Sequence, residues 1–241
     1  MNYTQNFIKA FNLNTYLGTG NPNSKILVVG KEVATDIEEG KNKSLETQNL
    51  IDFKNNCRDW QNNVQEKINQ DDIPNWKGNK NNPLYAFKGV KINREGHTWR
   101  KYQKLNNFIF DKKDNKNINF QEDFFITEMS VLPAKTTGKA QKKNSFKTEL
   151  QERKETFFNS AFIQDFSIVI LACGNYINGP EITRIFDVEF IEEKGTERQK
   201  YWLHWNFDNT KLVIHTRQLS ANVSNELLLG IANEIKKVLN K

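Results

Sequence analysis

Three residues of this chain have the types that hydrolytic chemistry uses, and each follows a short apolar run. Glu32 comes two residues after Ile26-Leu27-Val28-Val29-Gly30, Glu128 closes Phe124-Phe125-Ile126-Thr127, and His215 closes Leu212-Val213-Ile214. A carboxylate beside an electron-poor carbon can orient water and stabilise developing positive charge. A histidine held neutral can donate to a leaving group without surrendering a proton. His215 also opens a polar run, Thr216-Arg217-Gln218, that ends in Leu219 and Ser220. An imidazole, a cation and a leucine expected to protrude from one loop suit a partner that is both anionic and stacked. Nucleic acid fits that description.

These residues share a site only if their strands share a sheet. A fourth apolar run, Ser167 to Ala172, leads into Cys173-Gly174. Continuous β-branched runs of this length read as parallel strands buried on both faces. Between them lie helical patterns. Leu50, Phe53, Cys57, Trp60, Val64 and Ile68 keep a 3–4 spacing over residues 45–68, and Trp99, Tyr102, Leu105, Phe108 and Ile109 do so over 98–110. Further helices are expected over 146–166 and 222–239, and a hairpin joins 188–191 to 200–205 through a turn at 192–199. Strands alternating with helices predict an α/β fold, a three-layer α/β/α sandwich around a central, mostly parallel four-stranded sheet. No repeat or clean break divides residues 1–241, so one domain is expected. In such a sheet the C-terminal strand ends converge on one crevice.

In order and spacing these motifs resemble the uracil-DNA glycosylase superfamily over nearly the whole chain. KILVVGKE looks like its first motif, a strand followed by Gly, a polar residue and a water-handling acid. FFITEMSVLPAK resembles the strand that ends in the base-reading residue, and SIVILACGNY the next strand. KLVIHTRQLS is similar to the final His-Pro-Ser-Pro-Leu-Ser loop: His215, Leu219 and Ser220 are retained, while Thr216, Arg217 and Gln218 are not. PLYAFKG followed by TWRKYQKLNNFIF is similar to the base-stacking segment and its helix. The resemblance implies a DNA glycosylase that hydrolyses the bond between base and deoxyribose, monomeric and needing no metal or cofactor. It implies Glu32 for water and the oxocarbenium ion, and His215 for the leaving base. Phe87 or Tyr85 would stack on the flipped base, Glu128 would read it, and Leu219 would fill the vacated stack. Lys31, Lys135, Lys139, Lys142, Lys143, Arg217 and Ser220 would meet the DNA. The other outcome this pattern allows is a glycosylase-like fold that binds DNA or nucleotides without cleaving them.

Departures from the family bear on the substrate. Uracil-reading members carry asparagine where this chain has Glu128. A carboxylate offers acceptors only, so it favours an edge that donates. An amino-bearing or modified base, cytosine-like, is expected rather than uracil. Val33-Ala34 replaces a Pro-aromatic pair, and Thr216 and Gln218 replace two prolines, which predicts either a looser clamp on the DNA backbone or a substrate larger than a bare base.

Each residue also has a structural reading. Glu32 could cap a helix, Glu128 could pair with a lysine, His215 could be a hydrogen-bonded strand-end histidine and Leu219 could pack under the last helix. The lysine run could be a solvated loop. Three histidines and two separated cysteines supply no zinc or iron–sulfur motif. A net charge of +6 permits a polyanionic partner. No apolar run nears the length of a membrane span and the start lacks a signal-peptide pattern, so a soluble cytoplasmic protein is expected.

Overall fold

The structure, a computed structural model, describes residues 2–34, 48–68, 82–86, 89, 97–113 and 116–240. Its strands are β1 (Thr19–Gly20), β2 (Ile26–Gly30), β3 (Phe124–Glu128), β4 (Ile168–Leu171), β5 (Glu189–Thr196), β6 (Gln199–Trp205) and β7 (Leu212–Thr216). Its helices are α1 (Gln5–Ala10), α2 (Gln48–Gln65), α3 (His97–Phe110), α4 (Thr137–Gln141), α5 (Phe146–Thr156), α6 (Ala161–Gln164), α7 (Gly179–Phe186) and α8 (Asn225–Leu239).

The apolar runs send alternate side chains to opposite faces, and both faces are buried, as the missing polar alternation requires. On one face Leu27, Val29, Phe125, Val169, Leu171 and Val213 pack with Phe7 of α1, Trp60 of α2, Phe162 of α6 and Ile182 of α7. On the other, Ile26, Val28, Ile126, Ile170 and Ile214 pack with Tyr102 and Leu105 of α3 and with Leu228, Ile231 and Ile235 of α8. Each large apolar side chain so buried contributes about 1.5–3 kcal/mol. Helices therefore cover both faces of the sheet.

The strand order is β1-β3-β2-β4-β7-β6-β5. The four strands expected from sequence form its parallel centre, β3-β2-β4-β7. The expected four-stranded sheet is nevertheless corrected to a mixed sheet of seven, because β1 adds antiparallel to β3 and the β5–β6 hairpin adds antiparallel to β7. The hairpin turn is shorter than expected. Glu192, Glu193 and Lys194 read as turn residues, yet they belong to an exposed edge strand. There Lys194 pairs with Glu192 and Glu234, and Glu193 with Lys200. Charge along an edge deters further pairing.

Two helices also differ from expectation. The pattern over 146–166 is broken into α5 and α6 because Ser160 restarts the helix, its hydroxyl accepting from Ile163 N at 3.5 Å. The sequence pattern did not point to α7, which opens on a capping box: Asn178 Oδ1 accepts from Glu181 N and Glu181 Oε2 accepts from Asn178 N, both at 3.0 Å. Among the described residues no helix is long and apolar enough to cross a membrane. From β2 the chain passes to β3 on one side and then to β4 on the other. The C-terminal ends of these strands are therefore a topological switch point, where open α/β sheets hold ligands.

Candidate functional site

Past their last ladder pair, β2 and β3 remain joined. Met129 N donates to Gly30 O at 2.9 Å, Ser130 N to Lys31 O at 2.7 Å, and Ala134 N to Val33 O at 3.1 Å. These bonds hold the loops carrying Glu32 and Glu128 side by side. Gly30 is the register partner of Glu128, and it lacks a side chain for a reason. A Cβ there would run into the Glu128 carboxyl, lying 2.8 Å from Cδ and 3.0 Å from Oε1. The space so kept opens into a cavity of about 260 Å³ lined by Lys31, Glu32, Glu128, Gln218 and Ser220, with aromatic walls from Tyr16, Phe53, Trp99 and Tyr102. Tyr16 and Phe53 stack at 4.5 Å between centroids.

Glu32 is held at both oxygens. Thr137 Oγ1 donates to Oε1 at 2.7 Å and the Tyr176 hydroxyl donates to Oε2 at 2.5 Å. Two hydroxyl donors fix the carboxyl plane, as an anion aimed at a reacting carbon requires. Burial, and then the Glu32 carboxylate, push the Tyr176 phenol far above its ordinary range, so it remains a donor. Lys31 Nζ sits 5.0 Å from the centre of the Tyr176 ring.

Glu128 is held by its main chain instead. Arg153 of α5 is buried, and its Nε donates to Glu128 O at 2.9 Å. Its other nitrogens donate to Thr15 Oγ1 at 3.1 Å, Tyr16 O at 2.9 Å and Thr127 Oγ1 at 3.1 Å. Burial pulls this guanidinium down from its usual value, yet it stays cationic at neutral pH because its intrinsic basicity is so high. Arg153 thus fastens the segment before β1 to the end of β3 through four of its five N–H groups, and none of these four goes to the Glu128 carboxyl. Burial, and then repulsion from Glu32, push that carboxyl up to about 8, against a smaller opposing pull from Arg153. A shift in this direction favours the protonated carboxyl, which offers a donor beside an acceptor where the expected anion offers acceptors only.

His215 does not join this pair. It lies in register with Leu171 and Trp202, its ring 5.3 Å from that of Trp202, and it is absent from the cavity lining. Its Nε2 lies 2.8 Å from Gly174 O. A carbonyl only accepts, so Nε2 carries the hydrogen and spends it there. Burial lowers the imidazole's pKa, with the Gly174 bond pulling the other way, which keeps the ring neutral. The expected assembly of Glu32, Glu128 and His215 in one pocket is therefore corrected to Glu32 and Glu128 alone.

Leu219 is a second correction. Expected to protrude, it is 1% exposed and packs in the core beneath α3 and α8, because an apolar side chain next to that core is more stable inside it than in water. Tyr85 is a third: it is buried in the opposite core, while its neighbours Pro83 and Ala86 reach the cavity. Phe87 lies outside the described residues. Ser220 and Lys31, assigned to DNA contact by the resemblance, line the cavity. Arg217, Lys135, Lys139 and Lys142 are exposed, and Lys143 is half-buried with Nζ 3.1 Å from Pro133 O. Thr137 lies within this lysine run, so its bond to Glu32 brings the run to the cavity's edge.

Sequence reasoning missed Thr137, Tyr176, Arg153 and Asn56. Tyr176 had a readable signal, a tyrosine just past a buried strand at the sheet's C-terminal edge. Asn56 Oδ1 accepts from Leu17 N at 2.9 Å and Gly18 N at 3.2 Å, which positions the cavity wall from α2. Among the described residues no cluster of His, Cys, Asp or Glu could hold a metal ion. No family model, curated protein or solved structure matches the chain significantly.

Proposed function

We propose that the chain is an N-glycosyl hydrolase acting on a base turned out of DNA into the cavity shared by Glu32 and Glu128. The observation that carries this reading is the pairing of two unlike carboxyls in one aromatic-walled space, one fixed by two hydroxyl donors and the other half-buried, without such donors and shifted towards its neutral form. Glu32 faces the sugar, where it stabilises the oxocarbenium-like carbon and takes a proton from the attacking water. The water oxygen bonds to C1′ while the C1′–N bond breaks and its electron pair leaves with the base. Lys31, lining the same cavity, offsets the negative charge on that base. The lysines around Thr137 supply phosphate contacts, so binding weakens with salt.

The test is incubation of the protein with single- and double-stranded oligonucleotides carrying uracil, cytosine or 5-hydroxymethylcytosine, followed by alkali to cleave abasic sites. Release of a base, lowered by about 10²-fold or more in Glu32→Gln with DNA binding retained, is the expected result. Absence of both base release and DNA binding would overturn the reading. His215, spent on Gly174 O rather than turned into the cavity, favours a second reading, a base-binding protein of this fold that does not cleave. DNA binding without release, unchanged by Glu32→Gln, would select it.

A further inference from the structure

We propose that Glu128 works as an undissociated carboxylic acid that reads a mixed base edge, one donor beside one acceptor, instead of the donor-only edge an anion would take. Such edges are N3–H with O4 in uracil and the N4 amino group with N3 in cytosine. The inference rests on the cavity being a base site, and it does not require that the base be cleaved.

The geometry divides the two carboxyls. Two anions in one small cavity repel, so one proton is retained between them. Glu32 has a hydroxyl donor on each oxygen. Among the described residues Glu128 receives none: its hydrogen bond to Arg153 runs through the main-chain carbonyl, and its carboxyl lies against the bare Cα of Gly30. Arg153 is the nearest buried cation, and its nitrogens bond to main-chain carbonyls and threonine hydroxyls. The other titratable groups around Glu128 are Lys31 beside Glu32, Tyr16 ahead of β1, Asp59 on α2 and Tyr102 on α3, with Cys173 beyond β4. Tyr16 and Tyr102 are raised above their ordinary range by burial first and stay neutral, as does the Cys173 thiol. The rise of Glu128 to about 8 agrees with this placement.

A neutral carboxyl presents an O–H and a C=O side by side, and the hydrogen can sit on either oxygen. It therefore pairs with a lactam edge or with an amino–imino edge, as an amide does once flipped. On ionising it loses the donor and sets two acceptors against the acceptor of the base. Buried polar groups left unmatched in this way discriminate strongly.

The experiment measures binding of deoxyuridine and deoxycytidine by calorimetry between pH 6 and pH 9, with carbon NMR of labelled glutamate carboxyls alongside. One or both pyrimidine nucleosides bind at pH 6.5, and affinity falls about tenfold between pH 7 and pH 9, following a group titrating near 8. Glu128→Gln, which keeps one donor and one acceptor, binds within about threefold of the parent and loses the pH dependence. In the parent one carboxyl carbon titrates near 8, and it is missing from the variant. The proposal is overturned if affinity rises with pH, if neither nucleoside binds, or if every carboxyl titrates below 6. The two readings fail separately. Pyrimidine binding with this pH profile but no base release sinks only the hydrolase, whereas base release that strengthens through pH 9 sinks only the neutral acid.

Discussion

Glu128→Gln also makes a stability prediction that needs no ligand. The carboxyl has a folded-state pKa near 8 against 4.5 for an ordinary glutamate. Between those values the folded protein holds a proton that the unfolded chain has released. Its stabilising contribution is complete below about 4.5 and is lost as pH climbs towards 8. At about 1.4 kcal/mol per pH unit the full loss would be about 5 kcal/mol. The side chain keeps some contact with water through the cavity mouth, so about half of that is the sounder expectation. Glutamine fills the same space without a proton to lose. The stability gap between Glu128→Gln and the parent should therefore widen by about 0.7–1.4 kcal/mol per pH unit from pH 5 to pH 7.5 and level off above 8.

Urea unfolding of both proteins at half-unit steps measures that gap, and a gain of 1 kcal/mol should appear as about 2–4 °C in melting temperature. His204 acts in the opposite sense, since burial, and then His215, lower it to about 4. It costs stability as pH falls from about 6.5 towards 4, but equally in both proteins, so it cancels from the difference. A gap that stays constant from pH 5 to pH 8 would mean the carboxyl is already ionised, and the argument for a neutral Glu128 would be wrong.

Leu219→Ala should cost about 2–4 kcal/mol of stability, as expected for a truncated core leucine, while leaving DNA affinity within about twofold. Unchanged urea unfolding with weakened DNA binding would restore Leu219 as a surface wedge. Arg153→Met should cost about 3 kcal/mol or more, because Glu128 O and Tyr16 O lose a charged donor in a buried place. It should also raise the Glu128 midpoint by removing a nearby cation. A loss under 1 kcal/mol by the same assay would show that the guanidinium does not fasten these two segments.

The parallel centre of the fold was legible because its signal is local. Four apolar runs without polar alternation read as strands covered on both faces, and the helices between them made parallel pairing the expectation, while the order of the strands came only from the structure. The antiparallel margins were harder to read. β1 has only two residues, and β5 carries Glu192, Glu193 and Lys194, whose composition suggests a turn while their ion pairs hold them in a strand. α7 was readable in principle from Asn178, Pro180 and Glu181, a capping box with a proline at the helix start. Its eight residues were too short for periodicity to reveal.

The site divides along the same line. That Glu32 and Glu128 would meet was legible, because both sit at the ends of strands predicted to be parallel. What they do was not, because protonation and orientation are set by groups remote in sequence. Glu32 is aligned by Thr137 and Tyr176, which lie 105 and 144 residues away. The shift of Glu128 towards its neutral form comes from burial and Glu32, with Gly30 bringing its carboxyl against bare backbone and Arg153 bonded to the main-chain carbonyl. His215 makes the converse case. Its place at a strand end was read correctly, yet one carbonyl, Gly174 O, takes its Nε2 hydrogen. A glutamate in place of an asparagine first suggested a changed hydrogen-bond pattern. With the proton retained, the acid again offers one donor and one acceptor, and the substitution changes what pH does to the site more than which edge it accepts.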